Sequence, residues 1–176
     1  MEKNIDLDRI DFEIVRLLRN NARLSNKDLA KKVGLAPSSC LVRVRQLHQS
    51  GVLKGFHTEV DPGALGVGLQ ALISVKLKRH YKPEVLKFRE HALALPEVVR
   101  FYHVAGPIDF LLHVWARDAA HLRTFAMTAI TSREEVSHIE TELIFEHVSS
   151  SELPVFLGAA PQVVEDINPR SQSQKR

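Results

Sequence analysis

Residues 25–49 read SNKDLAKKVGLAPSSCLVRVRQLHQ, and the order of residue types in this stretch decides the fold of the first third of the chain. Ser25 followed by Asp28 is a capping-box pattern, and it opens a helix carrying Leu29, Ala30 and Val33. Gly34 stands where a helix C-terminus wants a left-handed residue. Pro37 then starts a further helix, because its missing N–H is not needed in a first turn. A short helix, a tight glycine turn and another helix have the spacing of a helix-turn-helix. Upstream, Leu7, Ile10, Ile14, Leu17 and Leu18 recur at helical spacing, with Asp6 or Asp8 placed to cap the start and Asn20-Asn21 to end it.

On a helical wheel, Cys40, Leu41, Val44, Leu47 and His48 gather on one side of the third helix, which must face the first two. Ser38, Ser39, Val42, Gln46 and Gln49 fall opposite, with Arg43 and Arg45 on the flanks. A merely solvated helix more often shows Glu and Lys there. Ser and Gln hydrogen-bond base edges, Val touches a thymine methyl, and Arg takes guanine or phosphate. The expected partner is therefore double-stranded DNA.

Charge points the same way. Residues 1–60 hold eleven Lys and Arg against seven Asp and Glu, whereas residues 61–150 hold ten against eleven. From Leu24 to Ser50, Lys27, Lys31, Lys32, Arg43 and Arg45 meet only Asp28. So local a basic excess is an electrostatic footprint for phosphate. The 176 residues can bury a sizeable core or two small ones. A single cysteine, Cys40, leaves no intrachain disulfide and suits a reducing interior. The polar N-terminus lacks a signal peptide's apolar stretch, and no apolar run approaches the ~20 residues of a membrane helix. These features predict a soluble cytoplasmic protein without a membrane partner.

After Gly51 the run from Val52 to Val60 reads as extended chain, closing in a turn at Asp61-Pro62-Gly63. Leu69, Ala71, Ile73, Val75 and Leu77 then alternate as a half-buried strand. Pro83 opens a helix with Val85, Phe88, Ala92 and Leu95 on one face, and Pro96 forbids its continuation. Val98 to Val104 is a second strand, and Ala105-Gly106-Pro107 turns the chain into a third, Ile108 to Arg117. Asp118 caps a helix carrying Leu122, Phe125, Ala126 and Ala129, and Ile139, Thr141, Leu143 and Phe145 alternate in a fourth strand. This is the split βαβ, ferredoxin-like βαββαβ order, which places both helices on one sheet face and leaves the other to a partner subunit. The predicted class is α+β. It comprises a helix-turn-helix domain at 6–58, a linker at 59–68, a dimerisation and effector domain at 69–153, and a tail of disordered composition at 154–176.

The stretch Leu7-Asp8-Arg9-Ile10-Asp11, then Asn21-Ala22-Arg23-Leu24-Ser25-Asn26, Leu29-Ala30 and Val33-Gly34-Leu35, resembles the start of the Lrp/AsnC, or feast/famine, transcriptional regulators. Pro37, Cys40, Leu41, Arg43-Val44-Arg45, Leu47 and Gly51 continue the match, and Gly106-Pro107-Ile108-Asp109-Phe110-Leu111-Leu112 is similar to the family's ligand-responsive domain. The resemblance implies a winged helix-turn-helix regulator of a bacterial or archaeal nucleoid, working as homodimers that stack into tetramers or octamers and answer an amino acid or related metabolite. It places DNA contact within Asn26 to Arg45, and with the outward face of the third helix the expected contacts are Asn26, Lys27, Lys31, Ser38, Ser39, Val42, Arg43, Arg45 and Gln46. Effector contact falls on Val104, Ala105, Gly106 and Asp109. Two positions depart from the family pattern. Ala36 stands where a capping Ser is usual, a loss of ~1 kcal/mol. Pro107 replaces the first carboxylate of a Gly-Asp-x-Asp turn, which predicts weaker amino-acid binding or a different ligand with an apolar body.

Other classes have weaker support. Nine histidines invite a search for catalytic or metal sites, yet none falls in a His-x-x-x-His or Cys-x-x-Cys pattern, so neither an enzyme, a metal nor a cofactor is expected. His103 and His113 are placed to face each other across the hairpin as a packed pair. Cys40, on the inward helix face, reads as a buried structural thiol. An architectural protein that compacts DNA without an effector remains the competing reading.

Overall fold

The computed structural model describes residues 7–150 and Pro154, so Asp6 and nearly all of the expected tail lie outside the described residues. The described residues form two compact units, one of Leu7–His57 together with Ser149 and Ser150, the other spanning Thr58–Val148.

The first unit holds three helices, α1 (Arg9–Asn20), α2 (Asn26–Val33) and α3 (Pro37–Gln49). Asp8 caps α1 by accepting from the Ile10 and Asp11 N–H groups, while the Asp11 carboxylate accepts from the Asp8 N–H, a reciprocal capping box. Ser25 Oγ accepts from the Asp28 N–H and donates to its carboxylate, so the shorter Asp bonds the cap's hydroxyl rather than reaching its backbone N–H as Glu does in a full capping box. Gly34 ends α2 at φ 71°. Ala36, as its methyl side chain requires, gives α3 no side-chain cap. Ile14, Leu18, Leu29, Ala30, Cys40 and Leu47 form the core. Burial pushes the Cys40 thiol up, keeping it protonated. Leu41, expected inward, is exposed, because the small core closes over Cys40 and Leu47 instead. Residues 52–60 contain no strand, and Phe56 closes edge-to-face on His48.

The second unit is an antiparallel sheet, β1 (Leu69–Leu77), β2 (Val98–His103), β3 (Phe110–Ala116) and β4 (Val136–Ile144), in the order β2-β3-β1-β4. With α4 (Lys82–Leu93) between β1 and β2, and α5 (Ala119–Phe125) between β3 and β4, this is the ferredoxin-like α+β arrangement. Ala71, Ile73 and Val75 of β1, and Phe110, Leu112 and Val114 of β3, are fully buried against Phe88, Ala92, Leu122, Phe125 and Ile130. Asp118 caps α5 as expected, but at Ala126 the helix widens into a π-helical turn that runs to Thr131. Thr124, Thr128 and Ser132 hydroxyls donate to carbonyls one turn back along it. The fourth strand keeps the predicted alternation only in part. It ends at Ile144, and Phe145 is 98% exposed because β4 is an edge strand and the chain has left the sheet there. Gly68 lies so close to the Arg117 carbonyl oxygen that a Cβ would sit 2.1 Å from it.

Candidate nucleic-acid interface and ligand hollow

On α3, Ser38, Ser39, Val42, Arg45 and Gln46 are exposed, and Val42, an apolar side chain, is 51% exposed. Lys27 and Lys31 of α2 are also exposed. Among the described residues, no ion-pair partner accompanies Lys27, Lys31 or Arg45. Ser39, Val42, Arg43 and Gln46 line an open hollow of about 560 Å³ together with Asp8 and Asp11.

Two of the expected contact residues are committed elsewhere. The Asn26 amide donates to the Pro37 carbonyl oxygen at 2.8 Å, tying the start of α2 to the uncapped start of α3. Arg43 places Nη1 at 2.7 Å from Asp8 Oδ2 and 2.9 Å from Asp11 Oδ1. Its side chain is 30% exposed and that of Asp11 only 13%. The Asp11 N–H foremost, helped by Arg43 and the Ile10 N–H, holds the Asp8 carboxyl below its usual range against the opposing effect of burial. Arg43 is thus a strut between the capping box of α1 and the middle of α3. A wheel places it on a flank, but only the packing of α1 across α3 shows which carboxylates wait there.

The second site gathers at one end of the sheet. Val104, Ala105, Gly106, Ile108 and Asp109 line an open hollow of about 540 Å³ with His80 and His103. Gly106 adopts φ 135°, which side chains rarely take, so the turn depends on glycine. The Val104 N–H donates to the Asp109 carbonyl and the Asp109 N–H to the Val75 carbonyl. The Asp109 carboxylate accepts from the Leu77 N–H at 2.7 Å and meets His80 Nδ1 at 2.5 Å. Burial pushes its carboxyl up, but those two partners outweigh it and hold it below the usual value. Both oxygens of Asp109 are engaged, and of the two imidazoles that line the hollow, His80 and His103, the one bound to Asp109 is His80, which no local pattern marks. Its signal is topological, since β1 pairs with β3 and its last turns end beside Asp109. His103 and His113 do not face each other. His103 lies opposite Phe110 and near His80, whereas His113 lies opposite Arg100 on the other sheet face. Among the described residues no group of three metal-binding side chains forms, and no helix is long and apolar enough to cross a membrane.

Comparison with known proteins matches residues 7–54 to a winged helix-turn-helix DNA-binding family and residues 70–154 to the Lrp/AsnC ligand binding domain. The transcriptional regulator AldR of Mycolicibacterium smegmatis is 45% identical over 81% of this chain and 84% of its own length. The leucine-responsive regulatory protein of Rhizobium meliloti is 32% identical over 86% and 97%. Among solved structures, a transcriptional regulator of Neisseria meningitidis in complex with L-Met has a TM-score of 0.78 at 29% identity, covering 85% of this chain and 97% of that one.

Proposed function

Because the chain belongs to the Lrp/AsnC family of transcriptional regulators, we propose that α3 reads the major groove of its operator and that the hollow around Gly106 takes a small effector that modulates DNA binding. Ser38, Ser39, Val42 and Gln46 meet base edges, Lys27, Lys31 and Arg45 meet phosphate, and Asn26 and Arg43 hold α3 in place for them. The observation that carries this reading is the outward face of α3, where a half-exposed valine sits among polar side chains and the helix brings no acid of its own, the neighbouring Asp8 and Asp11 being paired with Arg43. In the hollow, the free amides around Ala105 and Gly106 suit a carboxylate, and His80, oriented by Asp109, suits a polar end. An amino acid or related metabolite fits that chemistry, with Asp109 acting through His80. The working unit is a homodimer joined through the helix-free sheet face, assembling further to tetramers or octamers, in the cytoplasm and on the nucleoid.

The test is a site selected from random DNA. Arg45→Ala and Gln46→Ala are expected to weaken binding to it at least tenfold, and a thermal-shift screen of amino acids and keto-acids to find a ligand that raises the melting point by mass action. Unchanged affinity in both variants removes the groove assignment. A ligand whose effect on DNA binding survives both Asp109→Ala and His80→Ala moves the effector site elsewhere.

A further inference from the structure

The sheet face away from α4 and α5 carries its charges in a pattern that specifies how a second copy meets it. Strand register puts Arg100 of β2, His113 of β3, Leu72 of β1 and Glu142 of β4 in one row across the sheet. The next row runs Tyr102, Leu111, Ser74, Glu140. Side chains alternate between faces along a strand, and the neighbours of these residues, Ala71, Ile73, Leu112 and Val114, fill the core, so both rows point away from it. Each row is therefore asymmetric, with a cation or phenol at the β2 edge, a leucine beside an uncharged polar side chain or imidazole in the middle and a carboxylate at the β4 edge. Arg100 and Glu142 are exposed, and neither has an ion-pair partner among the described residues.

The middle of the face is prepared for cover. Gln70 Oε1 takes the Trp115 indole N–H at 3.1 Å and lies 2.8 Å from His113 Nε2. The Trp115 indole N–H and the His113 Nε2 thus share one acceptor within the chain, the Gln70 side-chain oxygen, and keep that partner when the face is buried. Burial first, then His147 and Arg100, pull the His113 ring toward its neutral form, which suits an apolar interface.

Resting on the sheet-to-sheet homodimer proposed above, we infer that the two copies meet about a two-fold axis parallel to the strands, so that Arg100 of each copy pairs with the partner's Glu142. Such an axis, passing between β3 and β1, lays each row on its own reversal. Arg100 then falls over the partner's Glu142, His113 over the partner's Leu72, and the Tyr102 hydroxyl over the partner's Glu140. An axis across the strands instead stacks arginine on arginine and glutamate on glutamate. The edge strands lie about 7 Å from the axis, and the ~30° angle between aligned sheets displaces their residues by about 4 Å, within reach of an arginine. The dimer then contains the same ion pair twice, once at each rim.

Charge reversal in the full chain tests this, with native mass spectrometry of differently tagged copies and dissociation constants from sedimentation. Arg100→Glu and Glu142→Arg are each expected to weaken the homodimer roughly tenfold or more, because like charges then meet at both rims. Mixed together, the two variants are expected to pair preferentially with each other, since that heterodimer has opposite charges at both rims. The chain carrying both reversals is expected to recover the homodimer. Recovery by mixing also shows that each single variant is folded. Single variants that dimerise as tightly as the parent overturn the inference, and so does the doubly reversed chain preferring the parent chain over its own copies, the signature of the crosswise axis. A parent chain that is monomeric at micromolar concentration removes the underlying dimer instead.

Discussion

Replacing Arg43 by Ala separates a strut from a reading residue. Arg43 donates to Asp11 at 2.9 Å, and Asp11 is nearly covered, with the Asp8 N–H at 3.2 Å as the one further partner of its carboxylate among the described residues. A hydrogen bond to a charged group contributes about 1.5–3 kcal/mol, and leaving a covered acceptor without its partner costs a similar amount. The contact to the more exposed Asp8 adds little, since exposed ion pairs are screened. With Arg43 itself partly exposed, the expected loss is about 1–2 kcal/mol of stability for Arg43→Ala. Asp11→Asn, which keeps the shape, removes a similar part of the same interaction. The assay is a double-mutant cycle by urea titration of the full chain, followed by far-ultraviolet circular dichroism. The two changes are expected to couple by about 1 kcal/mol, whereas unconnected sites add to within ~0.5 kcal/mol. Arg45→Ala is the control, with an unaltered unfolding curve and weakened DNA binding. If Arg43→Ala leaves the unfolding curve in place and weakens DNA binding as much as Arg45→Ala does, Arg43 touches DNA and the strut argument is wrong.

Two further changes probe the second unit. Gly68→Ala forces a Cβ to 2.1 Å from the backbone oxygen of Arg117, so the strand start must move and the Gly68 N–H bond to Ala116 weakens. Calorimetry is expected to show a loss of about 2 kcal/mol, and a parent-like melting point would mean that the backbone yields freely there. Glu135 is buried against Arg133 at 2.7 Å and Lys87 at 3.7 Å. Burial raises its pKa, but Arg133, a backbone N–H and Lys87 together outweigh this and leave it lowered. Its stabilisation is complete above the usual carboxylate range and is lost as the pH falls through that range and below it. Glu135→Gln is expected to destabilise the protein at neutral pH and to flatten that acid slope in denaturation curves taken from pH 7 downward, and an unchanged slope would assign the acid sensitivity to other carboxylates.

Local chemistry made several elements legible before any contact was known. Gly34 and Pro37 bracket the turn between α2 and α3, and the alternation from Leu69 to Leu77 marks β1 at both ends, because each signal lies in the residues that form the element. The outward face of α3 follows from helical geometry in the same way. Arg43 and His80 were not legible, since their partners lie 32 and 29 residues away and are chosen by how elements pack. The π-helical turn after Phe125 reads as ordinary helix for the same reason. Its residues have normal helical spacing, and the widening fits Ala126 and Ile130 to the sheet.

The strut also sets how the protein answers ionic strength. DNA binding releases condensed counterions, and log affinity falls with log salt by ~0.9 for each phosphate neutralised. Arg43 already carries its own counter-ions, two carboxylates covalently fixed in the same head, so it releases none from the duplex. Two heads contacting phosphate through Lys27, Lys31 and Arg45 predict a slope of about −5, against about −7 if Arg43 joined them. The capping box of α1 therefore moderates the protein's grip on arbitrary DNA, which is governed by that slope, while leaving the base-reading face of α3 untouched. On the proposed DNA contacts, selectivity for an operator over bulk chromosome is expected to rest partly on acids that never meet a base.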